Sequence, residues 1–96
     1  MMSKRSAAEI VYEVLCAPGA GAVNKKKIAY SSRVSDKQAS RYISMLCASQ
    51  FLERTPNGVY RVTPKGEAAR TELQSALNVL RDILPEEDRE REEVLV

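Results

Sequence analysis

The chain has 96 residues, of which 44% are hydrophobic and 29% are charged, and its net charge is only +2. This length fits one small domain with an appendage, and a chain so short buries a modest core, so contact with a second copy would add stability. No apolar stretch is long enough to cross a membrane and no signal peptide is visible, which predicts a cytoplasmic protein.

The residue types that most enzymes and metal sites use are scarce in this chain. It contains no histidine, which is the usual general base and metal ligand. Cys16 and Cys47 are far apart in sequence and lie in mostly apolar helical segments, which favours two buried reduced thiols over a zinc site. A disulfide between them, or a redox-sensing thiol, remains an alternative. These features disfavour an enzyme and predict no metal or cofactor, and no small-molecule ligand is evident from the sequence.

Positive charge is concentrated before residue 71. Residues 1–70 carry 12 Lys/Arg and 5 Asp/Glu, a net charge of +7, whereas residues 71–96 carry 3 Lys/Arg and 8 Asp/Glu, a net charge of −5. A basic body favours a polyanionic partner, and an acidic tail either solvates the protein or opposes that partner.

The first predicted helix begins at a capping box formed by Ser6 and Glu9. Apolar residues at helical spacing follow, and they are Ile10, Val11, Val14 and Leu15. Residues 18–21, Pro-Gly-Ala-Gly, end this helix in a loop. Lys4 and Arg5, in front of it, suggest a basic arm, although charged termini are common in proteins of every kind.

Two further helices are predicted, with a short polar turn between them. Asn24 is a suitable N-cap for a short helix from residue 25 to about residue 30. Ser35, with Gln38 three residues later, is a second capping box, and an apolar stripe at helical spacing extends the third helix from residue 36 to about residue 49.

Residues 51–54 and 59–62 are short strand candidates, and the Asn57-Gly58 pair between them predicts a hairpin. The resulting order is helix, helix, helix, hairpin, helix. This is the order of a winged helix-turn-helix, in which the hairpin is the wing. The predicted fold class is therefore mostly α with a small β-hairpin.

A fourth helix is predicted to begin at the Thr63 cap with Pro64 in its first turn, and Pro85 stops it. The charged residues that follow predict a flexible tail, and the alternative is a polar helix stabilised by neighbouring opposite charges. The domain organisation is then a winged helix-turn-helix over residues 1–63, a C-terminal dimerisation helix over residues 64–85 and an acidic tail over residues 86–96.

The chain resembles the small archaeal winged-helix proteins, which include ArnR-like and MarR-like regulators and dimeric chromatin-associated proteins of about ten kilodaltons. The matching residues are 10–15, 26–30, 34–35, 42–43, 50–53 and 60–66. The most specific piece is the exit from the wing, Tyr60-Arg61-Val62-Thr63-Pro64-Lys65-Gly66. The resemblance implies the fold, DNA binding and dimerisation. The chain differs from the family at Gln50, where a glycine is usual, and in its shorter fourth helix.

In such a fold the third helix would lie in the major groove, with the lysine-led second helix and the wing on phosphates. The candidate DNA-binding residues are Lys25, Lys26, Lys27, Ser35, Lys37, Gln38, Ser40, Arg41, Ser44, Arg54, Asn57 and Arg61. The alternative for each is an ordinary solvated polar face or, for the three lysines, a solubilising run of charge. The predicted partner is double-stranded DNA.

The fourth helix carries apolar residues at coiled-coil spacing, which predicts a homodimer. The candidate dimerisation residues are Leu73, Ala76, Leu77, Leu80, Ile83 and Leu84. The alternative is packing within one copy.

For the whole protein, the leading hypothesis is a dimeric transcriptional regulator or nucleoid-associated factor. The alternatives are a protein-interaction module that does not bind DNA and, less favoured because exposed aromatic pairs are lacking, an RNA-binding protein.

Overall fold

The computed structural model describes residues 5–83. Its elements in chain order are α1 (Ala7–Cys16), β1 (Ala22–Val23), α2 (Lys25–Ser32), α3 (Asp36–Ala48), β2 (Leu52–Arg54), β3 (Tyr60–Val62) and α4 (Pro64–Ile83). This order confirms the predicted class, a mostly helical winged helix-turn-helix with a C-terminal helix. Leu84 and the acidic segment 86–96 lie outside the described residues.

The predicted helix starts form as their caps dictate. At α1 the capping box is complete, because the Ser6 hydroxyl accepts the Glu9 N–H and the Glu9 carboxylate accepts the Ser6 N–H. At α2 the Asn24 side chain accepts the Lys27 N–H at 2.8 Å. The caps therefore set where each helix begins.

Two helices end in a left-handed residue that is not glycine. Arg33 closes α2 with φ 57°, and Gln50 follows α3 with φ 69°. In both cases the next amide bonds back to the last turn, with Val34 N–H donating to Ala29 O and Phe51 N–H donating to Leu46 O. These are Schellman closures. Helix α2 ends at Ser32, two residues beyond the predicted end, and Ser32, which was expected in a polar turn, is fully buried.

The sheet has three antiparallel strands in the order β1-β3-β2. The predicted hairpin is present, with Glu53 opposite Arg61. Its turn places Gly58 at φ 80°, and the Gly58 N–H donates to Thr55 O. The third strand, β1, was not predicted, because only two residues of the loop before α2 pair with β3.

The core lies where α1, α2 and α3 meet, with β2 and α4 closing its sides. Its buried apolar residues are Ile10, Val14, Leu15, Ile28, Ala29, Ala39, Ile43, Leu46 and Leu52. Helix α4 contributes Ala69 and Leu73, which are half-buried against this cluster. Within residues 5–83 no helix combines the length and the apolar character needed to cross a membrane.

The wing exit motif joins the wing to α3 and α4. The Thr63 hydroxyl donates to Gln50 O at 2.6 Å and accepts the Gly66 N–H at 3.0 Å. The Lys65 ammonium donates to Ser49 O and lies 4.7 Å from the centre of the Phe51 ring. A Cβ on Gly66 would come within 2.1 Å of Phe51 O, so only glycine lets α4 approach this closely.

Arg5 does not form a basic arm, contrary to the sequence-based suggestion. Its side chain is buried and its guanidinium donates to Ser32 O at 2.7 Å and to Arg33 O at 2.8 Å. The same group pairs with the Glu13 carboxylate at 2.7 Å. Arg5 therefore caps the carbonyl end of α2 and ties it to α1.

Candidate nucleic-acid interface

Helix α3 divides into a buried face and a cationic face. Ala39, Ile43 and Leu46 are buried. Three residues that were predicted to contact DNA are exposed on the opposite side, and they are Lys37, Arg41 and Ser44. Because a helix turns by about 100° per residue, these three positions share one face. The face is open to solvent along the length of the helix.

The predicted residues at the edges of this face are more engaged in the fold. The Ser35 hydroxyl is the N-cap of α3 and accepts the Gln38 N–H at 3.1 Å. Gln38 and Ser40 are half-buried at the flanks. Ser35 therefore already has a structural role, and its hydroxyl proton remains available to donate a hydrogen bond to a ligand.

The lysine cluster of α2 adjoins α3. Lys25, Lys26 and Lys27 are all exposed, and the Lys25 ammonium donates to the Ser40 hydroxyl at 2.9 Å. This bond places the beginning of α2 against the middle of α3. Residues 25–48 hold six Lys/Arg and one acidic residue, Asp36. The two helices thus form one continuous cationic surface, which we call the α2–α3 surface and define by Lys25, Lys26, Lys27, Lys37 and Arg41.

The wing contributes less free positive charge than its sequence predicts. Arg54, Asn57 and Arg61 are exposed, as expected for contact residues. Arg61, however, pairs across the strands with the Glu53 carboxylate at 3.0 Å. Sequence inspection did not identify this pair, because strand register determines which residues face each other.

Two exposed side chains near the α2–α3 surface were not among the predicted site residues. Tyr30, in the second turn of α2, is 81% exposed. Met45 is 47% exposed on α3, one turn beyond Arg41. Helical spacing from the buried residues of each helix places both side chains outside the core.

The two cysteines are free thiols and are half-buried rather than buried. Burial raises the pKa of the Cys47 thiol, and the positive charge of Arg54 offsets this only in part. A raised pKa works against the thiolate that a redox sensor requires.

The candidate dimerisation residues fall into two groups. Leu73 and Leu77 are half-buried on the side of α4 that packs on its own domain. Ala76, Leu80 and Ile83 are exposed, and Val79 is exposed beside them. Leu84 is not among the described residues. The exposed group forms an apolar patch on the last turns of α4.

An open apolar groove of about 430 Å³ lies between α1, α3 and the first half of α4. Its walls include Val11, Leu46, Phe51, Leu73 and Ala76. The groove and the patch meet at Ala76, so they follow each other along α4.

Comparison with known proteins agrees with this architecture. A family model described as winged helix-turn-helix matches residues 4–81. Protein MJ0290 of Methanocaldococcus jannaschii, itself described as uncharacterized, is 33% identical over 77 residues, which make up 80% of this chain and 36% of that protein. The chain thus spans little more than a third of that relative's length.

Two solved structures share the fold. Sso10a-2, a DNA-binding protein from Sulfolobus solfataricus, superposes with a TM-score of 0.72 at 23% identity, covering 82% of this chain and 85% of that one. The MarR family transcriptional regulator SPO1453 from Silicibacter pomeroyi DSS-3 gives a TM-score of 0.62 at 16% identity, covering 78% and 56%. With the family model, these matches confirm a resemblance in fold to small archaeal winged-helix proteins and MarR-like regulators. Since the family model covers most of its residues, the chain belongs to the winged helix-turn-helix family.

Proposed function

We propose that this chain is a cytoplasmic, homodimeric DNA-binding protein that acts as a transcriptional regulator or nucleoid-associated factor. The observation that carries the proposal is the α2–α3 surface, where five cations lie on two adjoining helices with one carboxylate nearby. A surface of this charge attracts the phosphate backbone of a duplex. The description of Sso10a-2 as a DNA-binding protein is in line with it.

In the proposed complex α3 enters the major groove. The groove is about 12 Å wide and admits a helix, and the open face of α3 offers it two cations and a hydroxyl. Lys37 and Arg41 would contact phosphates or guanine edges, and Ser44 would donate to either. With so few specific groups on this face, we expect modest discrimination between DNA sequences.

The lysines at the start of α2 would hold the backbone beside the groove. Positive side chains at a helix N-terminus oppose the helix dipole, at a cost of a few tenths of a kcal/mol each. Within residues 5–83 neither the Lys26 nor the Lys27 ammonium forms an ion pair that would compensate, whereas a phosphate would. In the wing, Arg54 and Asn57 would reach the next stretch of backbone.

Dimerisation would join the apolar patch on α4 of one copy to the apolar groove between α1, α3 and α4 of the other. The patch is at the last turns of α4, with Leu80 45% and Ile83 67% exposed, and the groove is at its first half. An antiparallel pairing of two α4 helices centred near Ala76 would cover both patches and both grooves at once. Such a two-fold arrangement would also present two copies of α3 to one duplex.

Charge reversal tests the DNA-binding part of the proposal. Lys26→Glu and Arg41→Glu, both at exposed positions, are expected to weaken duplex binding strongly while leaving folding and solution mass unchanged. Arg81→Glu makes the same change on α4 and is expected to keep the wild-type affinity. If the two surface variants bind duplex DNA as tightly as the wild type, the α2–α3 surface is not the DNA-binding site. If the wild type does not bind duplex DNA, the DNA-binding role fails and a protein-interaction module is favoured.

A further inference from the structure

Tyr30 is the most exposed large hydrophobic residue among those described, at 81%. It is in the second turn of α2, whose buried residues are Ile28, Ala29 and Ser32. The ring therefore adds nothing to the core. Tyrosine suits surfaces that are covered by a partner, because its ring packs while its hydroxyl hydrogen-bonds.

The neighbours of Tyr30 indicate the chemistry of that partner. Residues three and four apart on a helix are adjacent, so Tyr30 lies beside both Lys26 and Lys27 on the outer side of α2. All three residues are exposed, and α2 contains no acidic residue. We call these three residues the α2 outer patch.

A protein partner fits this composition poorly. Tyrosine is enriched at protein interfaces, but lysine is depleted there because its charge resists desolvation. Two lysines flanking one exposed tyrosine instead match a polyanion with an apolar edge. A duplex backbone has both properties, since each phosphate is followed by a deoxyribose ring.

We propose that the α2 outer patch is a second contact with the duplex backbone, beside the major-groove contact of α3. Tyr30 packs its ring on a deoxyribose and donates its hydroxyl to a phosphate oxygen, while Lys26 and Lys27 neutralise adjacent phosphates. The proposal rests on the DNA-binding function proposed above and adds to it a neutral residue that no charge pattern would identify.

The neutrality of tyrosine gives the contact a distinctive signature. Each lysine that neutralises a phosphate displaces a counterion and steepens the dependence of affinity on salt. A tyrosine contact adds affinity without displacing a counterion. Removing Tyr30 should therefore lower affinity equally at all salt concentrations, whereas removing Lys26 should also flatten the salt dependence.

The experiment measures affinity for a labelled random-sequence duplex by fluorescence anisotropy across a salt series. The proteins are the full chain and its Tyr30→Ala, Tyr30→Phe, Lys26→Ala and Tyr12→Phe variants. Tyr12 lies in the cleft between α1 and α4, so Tyr12→Phe removes the same hydroxyl away from α2. Circular dichroism of each variant verifies folding, which Tyr30 substitutions should preserve because the side chain is so exposed.

Tyr30→Ala is expected to weaken binding about three- to tenfold with an unchanged salt slope, the scale of one lost hydrogen bond and its packing. Tyr30→Phe should fall between Tyr30→Ala and the wild type, and Tyr12→Phe should match the wild type. Lys26→Ala should reduce the salt slope by about 0.9.

If Tyr30→Ala binds within about twofold of the wild type while Lys26→Ala binds more weakly, only the Tyr30 contact is overturned, because a twofold change is below the scale of one hydrogen bond. A flattened salt slope in Tyr30→Ala would also overturn it, because the loss would then be electrostatic. Absence of wild-type binding would instead refute the DNA-binding function itself.

Discussion

Gly66 is the residue on which the joint between the wing and α4 depends. A methyl group at this position would come within 2.1 Å of Phe51 O and 2.6 Å of a Val62 methyl, and the first of these is backbone. Gly66→Ala is therefore expected to lower the free energy of unfolding by about 2 kcal/mol or more, the scale of overpacking.

Urea denaturation followed by circular dichroism measures the effect of Gly66→Ala. Gly21 provides the matched control, because a Cβ there has nothing within 4 Å and its φ is not positive. Gly21→Ala should change stability by less than about 0.5 kcal/mol, or stabilise slightly. Equal stabilities for the two variants would contradict the close approach of α4 to Phe51.

Gln50 carries backbone strain that a glycine would relieve. At φ 69° it occupies the left-handed region, which costs a residue with a Cβ about 1–2 kcal/mol. Gln50→Gly removes this cost from the folded state, but glycine also makes the unfolded chain more flexible, which offsets part of the gain. The free energy of unfolding is therefore expected to rise by about 0.5–1 kcal/mol in thermal or urea unfolding.

Ser49 is the control for Gln50. It precedes Gln50 and has φ −91°, so Ser49→Gly relieves no strain and should not stabilise the protein. A Gln50→Gly variant less stable than the wild type would show that the side chain contributes more than the left-handed backbone costs.

At the scale of elements, the wing carries an internal ion pair that competes with its proposed ligand. Glu53 faces Arg61 across the strands, and their side chains are 3.0 Å apart. Exposed pairs of this kind contribute at most about 1 kcal/mol to stability. The pair therefore matters more for the charge that the wing presents than for the fold.

Glu53→Gln should free the Arg61 charge and strengthen duplex binding about two- to threefold, with a steeper salt dependence. Asp82→Asn, at an exposed position in the last turn of α4, makes the same charge change away from the wing and should leave affinity unchanged. Anisotropy titrations at two salt concentrations measure both variants. Unchanged binding by Glu53→Gln would place the wing outside the interface.

Local signals predicted the helices and the hairpin, and tertiary pairing decided the rest. Caps such as Ser6, Asn24 and Ser35 set helix starts correctly because each acts on amides two or three residues away. Strand β1 has no such signal, since its two residues are extended only because β3 lies alongside.

For the candidate site too, local sequence patterns predicted some features, and contacts between distant residues determined the others. Helical spacing correctly predicted exposure of Lys37 and Arg41. The burial of Arg5 depends on carbonyls 27 and 28 residues away, which no local pattern reveals. The ion pair of Arg61 could not be predicted for the same reason, because it depends on the pairing of two strands.

At the scale of the whole molecule, the exposed apolar patch and the groove predict a dimer. Leu80→Glu would place a charge in the proposed helix pairing and should shift the solution mass from two copies towards one. Asn78→Glu adds the same charge at another exposed position of α4, in the cleft with α1, and should leave the dimer intact. Light scattering measures both variants, and a monomeric wild type would contradict the dimer.

DNA binding through the α2–α3 surface is tested most directly by the salt dependence of duplex affinity. Five cations on that surface predict a slope of log affinity against log salt of about −4.5 for each copy that binds, from about 0.9 per neutralised phosphate. A steep slope that decreases in magnitude when Lys26 and Arg41 are replaced by alanine is the predicted result. No binding at low salt, or affinity that does not change with salt, would contradict it.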